Sequence, residues 1–400
     1  KQIVLRDGAI VEQATASGGQ IFTNSGPIVL SNGIARFTSS RGGLETHLRG
    51  PISGAGGLQK ESSNILRMFG TNTYQGSTII SAGVLVVAEN GSIRESPDIY
   101  MIPAGTRLLL DNTGVNASNR LGDSAVLHLG SGSFEFRTRT NEVVVETVGA
   151  LSLEGGVGQL GMQNRASASS GLGLYFINLQ RIAGVLNITN SGNGTLGGGV
   201  SNSANPLVWF GNVADGVVLP YVTYFGTNAT RYSAANGVVP LTFGALSEFD
   251  GGSDQTGQDT RFSTIRGGTP YTLSADRSVA SLTITPANLA SIDLAGFNLT
   301  VSGGAILLNG GVVFSIDNSG AGGSIVGTDP VFNVSSANAT MRLNAAVSAG
   351  VLSKEGPGTM ILAGNNTYGD GTIIGAGILQ VGSNSTVGTL GAGGVTNYGT

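Results

Sequence analysis

Two stretches of this 400-residue chain are copies of one another, set 294 positions apart in a single register without a gap. The first runs from Leu58-Gln59-Lys60-Glu61 through Gly70, Asn72-Thr73-Tyr74, Thr78-Ile79-Ile80, Ala82-Gly83 and Leu85 to Val87. The second runs from Leu352-Ser353-Lys354-Glu355 through Gly364, Asn366-Thr367-Tyr368, Thr372-Ile373-Ile374, Ala376-Gly377 and Leu379 to Val381. Self-similarity at a fixed offset marks a repeat architecture, in which each unit buries its apolar face only by stacking on its neighbours. A long, uniform object of this kind spans, displays or binds, and rarely catalyses.

The local pattern is that of strand and corner. Short apolar runs such as Val84–Val87, Leu108–Leu110, Val126–Leu129, Leu282–Ile284 and Leu299–Val301 follow one another with Gly, Asn, Asp or Ser between them. In Leu282-Thr283-Ile284 and Leu299-Thr300-Val301 the apolar residues alternate with threonine, the period of a strand. No segment carries the period of an amphipathic helix. Glycine supplies 66 residues without a G-X-Y period, which excludes collagen. The recurrent Val, Ile and Leu, with a net charge of only −4, exclude a disordered chain. An all-β fold follows, either sandwich or solenoid. Matching corner glycines (Gly70 and Gly83; Gly364 and Gly377) and the lack of linkers favour one continuous β-solenoid rod over residues 1–400, with repeat copies at 52–93 and 346–387. At about 4.8 Å between stacked strands, such a rod would be on the order of 80–95 Å long.

One region breaks the rhythm. Within 205–270, from Pro206 to Phe249, aromatics crowd together, with Trp209, Phe210, Tyr221, Tyr224, Phe225, Tyr232, Phe243 and Phe249, followed by an acidic loop from Asp250 to Asp259. This predicts a bulged or inserted subdomain. The rings suit a wider core section. Alternatively Trp209, Tyr221, Tyr224, Asp250 and Asp254 form a surface for a glycan or protein partner. The acidic loop lacks the spacing of a calcium-binding loop.

Raw material for catalysis is scarce. The chain has two histidines, His47 and His128, and no cysteine, so catalytic residues, metal sites and cofactors are not expected. Gly122-Asp123-Ser124 is followed by Ala125 and a strand, with no Asp-x-x-His downstream. A carbohydrate-active β-helix enzyme is the alternative reading, and would draw on Asp250, Asp254, Asp259 and Trp209. A pI near 5.2 without a basic stripe argues against nucleic acid. No apolar run approaches the roughly 20 residues of a membrane-spanning helix. The opening Lys1-Gln2-Ile3-Val4 carries neither Met nor a signal-peptide pattern, and reads as a piece of something larger. Lys60-Glu61 and Lys354-Glu355 read as solvated turn charges. Asn72 and Asn366 read as left-handed corner residues, with the following Thr and Tyr packing over the next coil.

The paired motif resembles the autotransporter-associated β-strand repeat. Its second copy carries Leu352, Lys354, Gly356, Gly358-Thr359-Met360, Leu362, Gly364, Asn366-Thr367-Tyr368, Gly371-Thr372, Ile374, Ala376-Gly377, Leu379 and Val381. The first keeps Gly56-Gly57-Leu58, Lys60, Asn72-Thr73-Tyr74, Ala82-Gly83 and Leu85, but has Ser62-Ser63-Asn64-Ile65 at the Gly-x-Gly-Thr stretch, which predicts a distorted corner. The resemblance implies a right-handed parallel β-solenoid, extracellular or displayed on the surface of a Gram-negative-type bacterium. It implies a stalk, fibre, filament or adhesin scaffold that is not an enzyme. The expected partners are adjacent solenoid repeats, identical subunits joined head to tail, and cell-surface glycans or proteins.

Overall fold

The computed structural model describes residues 2–14, 21–40, 44–139, 142–164, 171–192, 194–198, 205–241, 246–249, 255–262, 270–285, 291–383 and 388–399. Among these residues nothing is helical, and strands are joined by tight corners. The solenoid expectation holds, with parallel strands stacked in about 14 turns.

A coil of the first half has three sides. Ile52–Gly54, Gly57–Lys60 and Ile65–Met68 make one coil, and Thr71–Tyr74, Thr78–Ile80 and Val84–Ala88 make the next. Each strand pairs in parallel with its counterpart one lap away, as in Leu58↔Thr78 and Leu66↔Leu85. Alternate side chains point inward, so Leu58, Leu66, Met68, Ile80, Leu85 and Val87 are almost completely buried. Register is fixed because a slip of one residue would turn every one of these outward. Two 22-residue strands, Val143–Asn164 and Gly171–Gly192, continue the stack.

Where one continuous rod was expected, the described residues form two stacks with separate cores. One core runs from Ile28 to Val238 and the other from Phe249 to Tyr368. Between them lies a meander, Val218–Tyr224, Asn228–Ser233 and Gly237–Pro240, which holds the only antiparallel strand pairings among the described residues. The aromatic-rich stretch thus leaves the winding pattern. Its rings divide: Phe210, Tyr232 and Phe249 enter the cores, whereas Phe225 is exposed.

The second stack returns alongside the first, in the opposite direction. Asn309 Nδ2 donates to the Thr227 carbonyl at 3.4 Å, Arg181 meets Glu355 at 2.6 Å, and Gly156 N donates to the Gly375 carbonyl at 2.7 Å. Residue numbers fall along one stack as they rise along the other. Close approach needs small residues, and Val218, Ala280 and Ala305 form a buried patch at this seam. A side chain at Gly303 would sit 3.0 Å from the Val218 side chain across the seam. The geometry is a solenoid hairpin.

Candidate functional site: the repeat corners and the seam

The buried lysines overturn one expectation. Lys60 and Lys354 are 1% and 0% exposed rather than solvated. Lys60 lies in register between Phe37 and Ile80, and Lys354 between Phe332 and Ile374, so each occupies an inward position of its coil. Lys60 Nζ donates to the carbonyls of Glu61 at 2.6 Å, Ser62 at 2.7 Å and Ala82 at 3.1 Å. Lys354 Nζ makes the same three bonds, to Glu355 at 3.0 Å, Gly356 at 2.8 Å and Ala376 at 2.9 Å. An ammonium has three donors and no acceptor, so it fits three converging carbonyls one for one. Burial pushes each amine down to about 8 while the adjacent glutamate pulls it upward.

The left-handed corner that aims these carbonyls is kept in both copies. Gly356 has φ of 75°, and Ser62, its counterpart, takes 64° despite its side chain. The Ser62 hydroxyl accepts from Ser39 N at 2.9 Å, which holds the corner. The expected distortion there is absent. Gly83 and Gly377 close the cage with φ of 70° and 72°. A side chain at Gly377 would lie 2.4 Å from two carbonyl oxygens, so only glycine fits.

The Asn-Thr-Tyr triplets also differ from expectation. Asn72 lies in a strand and is not among the residues with positive φ. Its Oδ1 accepts from Ile52 N at 2.9 Å, and its Nδ2 donates to Gly70 O at 2.8 Å and Ser92 O at 2.9 Å. One amide therefore ties three successive coils. Asn366 repeats this with Val347 N at 2.8 Å, Gly364 O at 3.2 Å and Thr389 O at 2.6 Å. Thr73 and Thr367 are exposed rather than packed, while Tyr74 and Tyr368 are buried and bond to Thr78 and Thr372 at 2.7 Å and 2.9 Å. Asn72→Ala should cost about 2–3 kcal/mol in denaturant unfolding, because buried backbone groups of two neighbouring coils lose their partner.

Identical letters meet different fates at the seam. Glu61 pairs with Arg36 at 2.7 Å on an exposed face. Glu355, its counterpart, is fully buried against the other stack, bonded to Arg181 Nη2 at 2.6 Å and Gly184 N at 3.1 Å. Burial drives the Glu355 carboxyl above its ordinary range, and Arg181 pulls it back. Arg181 also lies 5.1 Å over the Tyr221 ring. A side chain at Gly375 would strike the Glu355 carboxylate, and the first copy carries Ser81 there.

A second buried ionic group holds a corner of the first stack. Arg120, 1% exposed, donates to Asn112 Oδ1 at 2.5 Å and to the carbonyls of Gly91 at 2.6 Å and Glu89 at 2.7 Å. Glu146 accepts from Leu121 N at 2.7 Å. Burial pushes its carboxyl from 4.5 up to about 7. A raised folded-state value means that its stabilisation is present below pH 4.5 and is lost as pH rises through about 7. Glu146→Gln should therefore gain about 2–3 kcal/mol over the parent at pH 8 and nothing at pH 4, read by urea unfolding at both.

Of the residues expected to form a partner surface, the described ones each have their own neighbours. Trp209 lies in register with Tyr175 and over Gly173. Tyr221 sits beneath Arg181 at the seam, and Tyr224 packs on Phe225 at 4.5 Å. Asp250 and Asp254 lie outside the described residues. Asp259 is committed to Arg231 at 2.7 Å and Ser281 at 2.7 Å. Asp123 and Ser124 border an open groove with Arg94 and Glu95, and no histidine lines it. His128 stacks on Tyr100 at 4.2 Å and bonds to Glu154 at 2.7 Å and Asp98 at 3.2 Å on the outer face of its sheet. Among the described residues no group of three His, Cys, Asp or Glu is arranged to hold a metal, and no helix is long and apolar enough to cross a membrane.

The seam itself contains a groove of about 550 Å³ that no sequence reading anticipated. Gln159, Asn187, Thr223 and Phe225 line one wall, and Asn309 and Asn333 the other.

Coils of this kind, with the same lysine cage and asparagine tie returning in two places, define a β-solenoid repeat protein. The passenger-associated-transport-repeat family model matches the chain twice, over residues 58–87 and 347–381. No curated protein and no solved structure matches it. Repeat and fold together fit a segment of an autotransporter passenger, a class secreted or surface-displayed by Gram-negative bacteria.

Proposed function

We propose that this segment is a non-catalytic structural scaffold of a large extracellular or surface-displayed protein. The observation that supports it is the repeat corner. Its polar side chains, Lys60, Asn72, Lys354 and Asn366, are spent inside the molecule on tying one coil to the next. A stack bonded in this way resists shear between coils, and the return stack braces it laterally through buried contacts. The outer loops then hold binding chemistry away from the envelope. Head-to-tail association of identical subunits belongs to the same proposal, since strands of an end coil can pair with another chain.

Two experiments test it. Pulling the segment from its ends by atomic-force spectroscopy should release chain in steps of roughly one coil, because each coil contacts mainly its neighbours. Smooth extension at low force would contradict the scaffold reading. Sedimentation at rising concentration should show end-to-end oligomers, and a monomer throughout would remove the filament version.

A further inference from the structure

We propose that the groove between the two stacks binds a neutral oligosaccharide. The proposal goes beyond the scaffold reading and stands on different residues. Four observations carry it.

The first is the character of the walls. All fifteen lining residues are uncharged, so neither an anionic polymer nor a cation finds a counter-charge there. Carboxamides and hydroxyls offer donors and acceptors side by side, as the vicinal hydroxyls of a sugar require.

The second is unspent hydrogen-bonding capacity. Asn333 is 4% exposed, lines the groove, and its carboxamide bonds to no described residue. Its amide atoms open onto the groove and are free to bond a ligand hydroxyl. Across the groove, Gln159, Asn187 and Thr223 stand in register on three successive strands. Asn187 Nδ2 donates to Gln159 Oε1 at 2.9 Å, and Asn187 Oδ1 accepts from Gly226 N at 2.6 Å. Those bonds fix the column and leave Gln159 Nε2 pointing its donors at no described residue.

The third is Phe225. Its side chain borders the groove, is 48% exposed, and its backbone has φ of 54°. A bulky residue in the left-handed region is strained, and such strain concentrates at functional positions. An exposed ring beside amides is a stacking surface for the apolar face of a pyranose.

The fourth distinguishes a sugar from a peptide. An extended peptide is captured by adding to an open sheet edge. The strands behind this groove, Val143–Asn164, Gly171–Gly192 and Val218–Tyr224, are already bonded into the ladder, and the free groups are side-chain amides.

The test is calorimetric titration of the intact segment with chitotriose, maltotriose, cellotriose and mannotriose, beside 3′-sialyllactose, trigalacturonate and a random decapeptide pool. At least one neutral trisaccharide should bind, and the charged sugars and peptides should not. Phe225→Gly relieves the backbone strain, so it should leave the thermal midpoint unchanged or higher, yet lower affinity for that trisaccharide about tenfold, or 1.4 kcal/mol. Asn333→Ala should lower affinity by a similar factor. Binding by none of the neutral probes, binding only by the peptides or acidic sugars, or affinity indifferent to Phe225→Gly would each overturn the assignment.

Discussion

Arg181→Ala should destabilise the protein by about 3–5 kcal/mol at neutral pH, far more than loss of an ordinary surface ion pair. The reason is what the substitution leaves behind. Glu355 is fully buried at the seam, its Oε2 already bonds to no described residue, and Arg181 is the charge that holds its proton off. Without the guanidinium, only the Gly184 N–H and the nearby Lys354 ammonium still oppose burial, and the folded-state value of the carboxyl climbs further above 4.5. The sign of the pH dependence follows. A raised folded-state value contributes stability below the unfolded value, which is lost as pH rises through the folded one. The variant should thus be close to the parent at pH 4 and fall well below it at pH 8 in urea unfolding. Scattering at pH 8 should show the two stacks parted. A deficit independent of pH would mean that Arg181 acts only by packing on Tyr221.

Lys354→Met should cost a comparable amount, about 3–5 kcal/mol, although it replaces a charge in an apolar column with an apolar side chain of similar length. Naive burial arithmetic predicts the opposite sign. The carbonyls of Glu355, Gly356 and Ala376 decide the matter, because all three converge on Nζ and have no water in reach to replace it. Lys60→Met should behave alike in the first copy, since the cage is the same bond for bond. Denaturant unfolding of both variants checks this, and a neutral or stabilising result in both would show the cage to be incidental.

How far the sequence reached can be judged at these same residues. The repeat was legible because its constraints are local: Gly83 and Gly377 need positive φ, and Tyr74 and Tyr368 need a threonine four residues on. Alternation likewise located most strands. The lysines misled because a charged side chain beside Glu61 or Glu355 ordinarily belongs to solvent, and only the register with Phe37 and Phe332 reveals an inward position. Asn72 and Asn366 misled similarly, since asparagine before threonine suits a corner as well as a tie across coils. The seam was illegible for a deeper reason. Glu61 and Glu355 occupy equivalent places in identical motifs, yet one faces water and the other a second stack. The exchange of Ser81 for Gly375 was the available signal, and nothing in one sequence gives it meaning. Asn333, within Val331-Phe332-Asn333-Val334, reads as the solvent face of a strand until the first stack faces it across the groove. Trp209 and Tyr224 drew attention by size, while the groove uses Phe225 and modest amides.

The central claim is the return of the second stack along the first, and the chain's lack of native cysteine makes a direct distance measurement simple. Spin labels on Ile182→Cys and Pro357→Cys, both exposed and adjacent to the Arg181–Glu355 pair, report it by pulsed electron resonance. The solenoid hairpin predicts a narrow distribution below about 20 Å. A single straight rod would put seven or more coils between the labels, about 35 Å at about 4.8 Å per coil, and that result would contradict the account.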